Sequence, residues 1–169
     1  MVQTRDLSEL TRNMIIAYLQ TGMTAALASI RANRPNALVT TENPREYFIY
    51  PKAKGYTPPA VFVIIEDFNF KPAERGANHI NATVRTNVAI LIEDKDLMRL
   101  TIKADRYMDA LHLLLAQAEL YDSTHNVKLV IVVQRAEFSP EYTNAGEDPQ
   151  GLFRKEVRLE CDIEYYANY

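Results

Sequence analysis

The residues from Leu152 to Tyr166 constrain the fold of this chain more than any other stretch. Apolar side chains alternate there with charged or polar ones, in the order LFRKEVRLECDIEYY. Successive side chains of a strand point to opposite faces, so the pattern predicts one strand with a mostly apolar face and an almost wholly charged face. Lys155 is the exception on the apolar face. Such a strand spans on the order of 45 Å, and its charged side indicates a surface that faces water, a lumen or a partner.

Composition indicates an ordinary folded domain. The 169 residues, 47% hydrophobic and 24% charged, favour one soluble domain over 1–169, with an N-terminal helix and a proline-rich segment at about 35–59. A net charge of −3 argues against a protein that wraps nucleic acid with a basic face. No uncharged apolar run approaches the roughly 20 residues of a membrane span. The single cysteine, Cys161, excludes an intramolecular disulfide and a cysteine zinc cluster.

Hydrophobic periodicity predicts an α+β fold. Helices are expected over Leu7–Ala32 and Leu97–Leu120, and strands over Tyr47–Tyr50, Ala60–Glu66, Ile80–Glu93, Val127–Ala136 and Leu152–Tyr166. Loops of hairpin length favour a mostly antiparallel sheet of four to five strands, with the two main helices packed on it. Residues 127–136 are apolar on both faces near their centre, which predicts a central strand with cover on both sides. The polar side of the second helix is expected at Arg99, Lys103, Arg106 and Gln117.

Catalytic motifs are weak in this sequence. It contains no phosphate loop, dinucleotide fingerprint, nucleophile elbow or HExxH motif. Asp105, Asp109 and His112 share one side of the second helix, a spacing that a carboxylate–imidazole metal site needs and that a solvated helix flank also shows. A small metal-dependent enzyme or ligand-binding α+β domain therefore stays open as an alternative. Cys161 lies on the apolar face, which favours a core residue over a nucleophile.

The charged face of the last strand is the main candidate for function. Its candidate lumen or interface residues are Arg154, Glu156, Arg158, Glu160, Asp162 and Glu164. Neighbouring positions on this face lie about 7 Å apart, so the row is either an ordinary solvated face or a surface that meets a partner or lines a channel. The chain also has ten tyrosines, several of them in predicted loops and edges, a composition that favours interfaces.

The layout resembles the small neck proteins of tailed bacteriophages, the tail terminator and head–tail joining family. Three features carry the resemblance: an amphipathic helix before a proline-rich stretch and a hairpin, the run RYMDAL at 106–111 in the following helix, and FSPE at 138–141 followed by GLFR at 151–154. The resemblance implies an α+β subunit of a closed, usually hexameric ring. Such a ring terminates the tail tube, joins it to the head-side connector or adaptor protein, and lets DNA pass through its lumen without specific binding.

Further expectations follow from this resemblance. The protein would be a virion component assembled in the host cytoplasm, without catalytic residues, cofactor, metal or membrane partner. An acidic row at residues 160, 162 and 164 would repel phosphates and let DNA slide. The loops 67–79 and 140–151 would reach neighbouring rings, with Phe68, Phe70 and Tyr142 as candidate contacts. A ring adaptor of a contractile injection system would show the same behaviour and stays open.

Overall fold

The computed structural model describes residues 4–35, 39–49, 55–72, 79–140, 142–143 and 151–168. It contains two helices, α1 (Thr4–Asn33) and α2 (Leu97–Leu115). The strands are β1 (Glu46–Phe48), β2 (Ala60–Phe70), β3 (His79–Asp94), β4 (Glu119–Asp122), β5 (Val127–Phe138), β6 (Tyr142–Thr143) and β7 (Phe153–Asn168). No helix among the described residues has the length and hydropathy needed to cross a bilayer.

The strands form one seven-stranded sheet in the order β1-β2-β3-β7-β5-β4, with β6 paired to the start of β7. Only β1 and β2 run parallel, and every other pair is antiparallel. The α+β class, the mostly antiparallel sheet and the two main helices are confirmed. The expected four to five strands were too few, since β4 and β6 have only four and two residues and are too short for a periodic signal.

The longest strands pair at the centre of the sheet. Every residue of β7 lies opposite a residue of β3, from Phe153 with Asp94 to Asn168 with His79. On its other side β7 pairs with β5 from Val157 to Ala167. These three strands are not consecutive in the chain, because α2 and β4 lie between β3 and β5, and β6 lies between β5 and β7. The sheet therefore depends on contacts between residues far apart in the sequence.

One side of the sheet, called here the helix face, packs against both helices. The alternate β7 residues from Val157 to Ala167 point to this side and are at most 3% exposed. They share one core with α1, α2 and the neighbouring strands; its largest fully buried side chains include Tyr107, Tyr165, Ile15, Leu19, Met23, Leu27, Ile90, Leu111 and Leu129. Cys161 belongs to this core, as its position in the alternation predicts.

Two predicted boundaries were wrong by four residues or more. Helix α2 ends at Leu115 and not at 120, because the backbone turns at Ala116 and Gln117 adopts a positive φ of 62° that a helix does not contain. Leu120 instead belongs to β4. Strand β2 continues to Phe70, beyond the predicted Glu66, so the predicted loop 67–79 is shorter and its residues 73–78 lie outside the described part.

The predicted cover on both faces of β5 was also wrong. Its helix-face residues Leu129 and Ile131 are buried, but Val132 on the opposite face is 43% exposed. Strand β5 is next to the edge strand β4 and not at the centre of the sheet. Apolar residues such as Val130 and Val132 on one face of a strand therefore do not show that another layer covers that face.

Arg106 does not lie on the solvated side of α2, where the helical period placed it. Its side chain is buried, with 3% exposure. Nη1 donates to the carbonyl of Val39 at 2.8 Å and to the hydroxyl of Thr41 at 3.2 Å. Nη2 donates to the carbonyl of Arg34, just beyond the end of α1, at 3.0 Å. The negative end of the α1 dipole favours a cation there, so Arg106 joins the end of α1 and residues 39–41 to α2.

Replacing Arg106 with alanine should strongly destabilise the protein. The change leaves buried carbonyls without donors, and we expect a loss of about 3 kcal/mol in the free energy of unfolding. Urea unfolding followed by circular dichroism measures this loss. The control is Arg45→Ala, because Arg45 forms an ion pair with Glu42 at 2.6 Å that is exposed on both sides. Equal losses in the two variants would contradict the role given to Arg106.

Candidate interface on the open face of the sheet

The side of the sheet opposite the helices is the candidate functional surface. We call it the open face, and on β7 it consists of the alternate residues Arg154, Glu156, Arg158, Glu160, Asp162, Glu164 and Tyr166. All seven are partly exposed, while the residues between them from Val157 onwards are buried. The predicted lumen or interface residues therefore share one face of one strand, and no helix of the described residues lies on that face.

Cross-strand pairing extends this surface over β3, β7 and β5. Glu164 lies between Thr83 and Val130, and Asp162 lies between Arg85 and Val132. Glu160 in turn lies between Asn87 and Arg135. Opposite residues on one face lie about 5 Å apart, so each β7 carboxylate has neighbours on both sides.

The arginines of the open face have carboxylate partners close by. Arg158 donates from Nε and Nη2 to Glu156 Oε1, at 2.8 and 2.6 Å. Arg154 Nε lies 3.5 Å from a carboxylate oxygen of Glu93 on β3, and Arg135 Nε lies 2.9 Å from one of Glu137. Such partly exposed pairs contribute little stability, about 0–1 kcal/mol each. They do balance the positive charges of Arg154, Arg158 and Arg135.

The centre of the surface keeps an excess of negative charge. Glu160, Asp162 and Glu164 follow one another, and the nearest arginine, Arg85, has its Nε 4.0 Å from Glu160 Oε1. The hydroxyl of Tyr166 donates to Glu164 at 2.5 Å, and this bond to the carboxylate raises the pKa of Tyr166. The arrangement offers a charged, mostly acidic strip, and its carboxylates lie in a row and not around a cavity.

An apolar cluster lies at one corner of the open face, on β1, β2 and β3. Phe62 and Leu91 are buried there, with 8% and 5% exposure, together with Ala60 and Ala89. The ring of Phe48 stacks on Phe62 with centroids 5.3 Å apart, and Tyr56 meets the same ring edge-on at 5.6 Å. The sequence did not predict this cluster, because residues from the proline-rich segment and β1 form it by tertiary contact.

The candidate inter-ring contacts lie in different settings. Phe68 and Phe70 are strand residues of β2, and their rings stack with centroids 5.9 Å apart. Phe68 also packs edge-on against Tyr165 of the core at 6.4 Å, whereas Phe70 is 43% exposed. Tyr142 belongs to β6, but its side chain and residues 144–150 lie outside the described part. Contact of Phe68, Phe70 and Tyr142 with another ring stays a prediction.

The proposed metal group does not form a site in the described residues. Asp109 is ion-paired with Arg34, while Asp105 and His112 are exposed on α2. Nowhere in the described ranges do three histidine, cysteine, aspartate or glutamate side chains come close enough together to hold a metal ion. His125 has a carboxylate partner: its Nδ1 lies 2.7 Å from Asp122 in an exposed turn.

A polar cleft of about 310 Å³ lies at the start of α2. Its buried carboxylate, Asp94, contacts Lys103 at 2.7 Å and Arg99 at 3.0 Å. Burial by itself raises the pKa of Asp94, but the bonds from Lys103 and the Asp96 N–H, with the charges of Lys103 and Arg99, outweigh it and leave the pKa lowered. Asp94 thus accepts bonds that fix the β3–α2 connection, which is a structural role.

Comparison with known proteins gives only weak similarities. No protein-family profile matches the sequence, and a search of curated proteins finds no match. Among solved structures, the chain is similar to one chain of the "Virion of native gene transfer agent (GTA) particle", at 14% identity and a TM-score of 0.41, over 86% of this chain and 94% of that chain. A second solved structure aligns at 12% identity and a TM-score of 0.37, over 87% of this chain and 94% of that chain. Similarity at this level does not establish a family.

The Cys161 thiol should be inert in the folded protein. Burial, with a smaller contribution from the carboxylates of Asp162 and Glu160, raises its pKa to about 12, so almost no thiolate exists near neutral pH. Ellman's reagent should label it only after unfolding in guanidinium. In an Asp162→Cys variant the added thiol on the open face should react in the native state. Equally fast labelling of both thiols would contradict the burial of Cys161.

Proposed function

We propose that this protein is a structural subunit of a phage-type virion, and that copies of it form a ring at the neck that terminates the tail tube and joins it to the head-side connector. The open face carries the proposal. It presents a continuous row of carboxylates on the most extensively paired strand of the sheet. The sequence resemblance to neck proteins supports the same class of function.

A lumen for DNA needs a surface that does not hold phosphates. A basic surface binds the DNA backbone by releasing counterions, and the bound DNA dissociates only as salt rises. Glu160, Asp162 and Glu164 would instead repel the backbone. The pairing of Arg158 with Glu156, and of Arg154 with Glu93, leaves fewer cations for phosphates to bind. In the proposed ring the open face therefore turns towards the channel.

The proposed ring needs heterologous contacts, in which one surface of a subunit meets a different surface of the next. Contacts to the tail tube and to the connector would then use the two ends of the ring. Strand β2 ends at Phe70 near one end of the sheet, and β5 ends at Phe138 near the opposite end. These ends are the proposed sites for the neighbouring rings.

The purified full chain should assemble into closed rings as its concentration rises. Size-exclusion chromatography with light scattering gives the mass, and negative-stain images give the symmetry, with six subunits expected. A Leu111→Ala variant is the control for fold stability. Loss of this fully buried side chain weakens the fold without changing the surface that would form the ring contacts. A protein that remains monomeric at every soluble concentration would contradict the proposed function.

Reversing the acidic row should convert the channel into a DNA-binding surface. A variant with Glu160→Lys, Asp162→Lys and Glu164→Lys should bind linear duplex DNA, with an affinity that falls steeply as salt rises. Fluorescence anisotropy measures this binding, and the unaltered protein should show none at physiological salt.

The matched control reverses three exposed carboxylates that lie outside the open face, with Glu9→Lys, Glu42→Lys and Asp105→Lys. Preassembled rings of the row variant should bind linear duplex and reject a covalently closed circle, because a closed circle cannot thread into a ring. Equal binding by row and control variants, or equal binding of circles and linear DNA, would place the row outside a channel.

A further inference from the structure

Two stretches at the sheet edges have no partner strand among the described residues. Strand β1 covers β2 only at 60–62, which leaves 63–70 open on the outer side. Strand β4 covers β5 at 127–130, and Ile131 donates its N–H to the carbonyl of Ala118, which leaves 132–138 open. We call these segments the β2 edge and the β5 edge. Both are long compared with the edges that soluble proteins usually expose.

The backbone groups of both edges point outwards at defined residues. Ser139 donates its N–H to the carbonyl of Glu156, inwards to β7, so by alternation Phe138 and Ala136 direct theirs away from β7. On β2, Lys71 donates its N–H inwards to the carbonyl of Asn81, so Phe70 and Phe68 direct theirs outwards. These outward groups can form the hydrogen bonds of a further strand.

The side chains of the two edges complement each other. On the helix face the β2 edge carries Phe68 and Phe70, and the β5 edge carries Ala136 and Phe138. Phe70 is 43% exposed and Phe138 is 45% exposed, so contact with another apolar edge would bury large rings. On the open face the β2 edge carries exposed Asp67, and the β5 edge carries Arg135, whose side chain is 69% exposed.

We propose that the β2 edge of one subunit pairs antiparallel with the β5 edge of a second copy, so that the sheet continues from subunit to subunit. This inference rests on the proposed ring and identifies the contact that closes it. Three successive antiparallel steps separate β2 from β5, so the two strands run in opposite directions. A rotation about an axis near the strand direction therefore brings a neighbour's β2 antiparallel to β5.

Overlap of the two edges, together with the faces of their side chains, fixes the register. When 63–70 lies along 132–138 in opposite directions and open-face side chains meet, Asp67 comes opposite Arg135. In this alignment the β-bulges at Ile65/Asp67 and Val133/Arg135 lie next to the pair, one on each side of it. Within one subunit Asp67 lies level with Val132 across the sheet. Pairing of Asp67 with Arg135 of the second copy therefore shifts that copy along the strand direction. Closed sheets require a stagger of this kind.

A second copy fits these edges better than an unrelated strand. A single extended peptide would occupy one edge and leave the other open, whereas a head-to-tail contact between copies covers both. It also brings the carboxylate of Asp67 opposite the guanidinium of Arg135. The contact joins two different surfaces, as a closed ring needs.

Charge reversal and its rescue test the contact in the full-length protein. Arg135→Asp and Asp67→Arg should each reduce the ring fraction at least tenfold at a concentration where the unaltered protein is mostly ring. The double variant, with the charges exchanged, should restore rings. Mass photometry measures the fractions, and circular dichroism confirms that each variant is folded. Lys128→Asp is the control, since Lys128 pairs with Glu119 at 2.8 Å on the part of β5 that β4 covers.

A disulfide crosslink between two subunits tests the contact directly. An Asp67→Cys protein mixed with an Arg135→Cys protein should form a disulfide-linked dimer on mild oxidation, while Cys161 stays buried. Rings that are unaffected by both reversals and give no 67–135 crosslink would overturn the edge pairing and leave the neck function standing. An unaltered protein that forms no rings would overturn the neck function itself.

Discussion

The structure depends on the pairing of β7 with two long antiparallel neighbours, along its whole length with β3 and from Val157 to Ala167 with β5. With β3 on one side and β5 on the other, its backbone groups are satisfied and its side chains must alternate between two environments. A slip of one residue would move Leu159 and Ile163 into water and Glu160 and Asp162 into the core, which is prohibitively costly. The same register therefore builds the hydrophobic core and the acidic surface.

The two faces of the sheet are stabilised in different ways. The helix face is a continuous apolar core, and the buried guanidinium of Arg106 connects the end of α1 to α2 through backbone carbonyls. The open face has no such layer among the described residues. There, ion pairs such as that of Arg158 with Glu156 balance the arginine charges and leave an excess of negative charge at Glu160, Asp162 and Glu164. A rigid sheet with one wet, acidic side is suited to line a channel or to meet a partner.

Periodicity predicted the elements that are long and one-sided. Strands β3 and β7 and both helices were identified because many residues repeat one pattern. Strands β4 and β6 are too short to show a period. At the end of α2, Leu120 continues an apolar pattern although the backbone has already turned at Gln117. The helical period placed Arg106 on the solvated side of α2. It is buried instead, because its carbonyl partners come from chain segments far away in the sequence. Val132 was expected to be covered, but apolarity alone does not supply a covering layer.

The sequence by itself determined the α+β class, the two-faced character of β7 and the row of charges at residues 154–164, since these follow from side-chain order along one strand. Only the tertiary structure decided which strands lie beside β7, which arginines have carboxylate partners and which stretches of β2 and β5 remain open at the sheet edges. Those features come from pairing between residues far apart in the chain, and local periodicity contains no information about which distant strand becomes a neighbour.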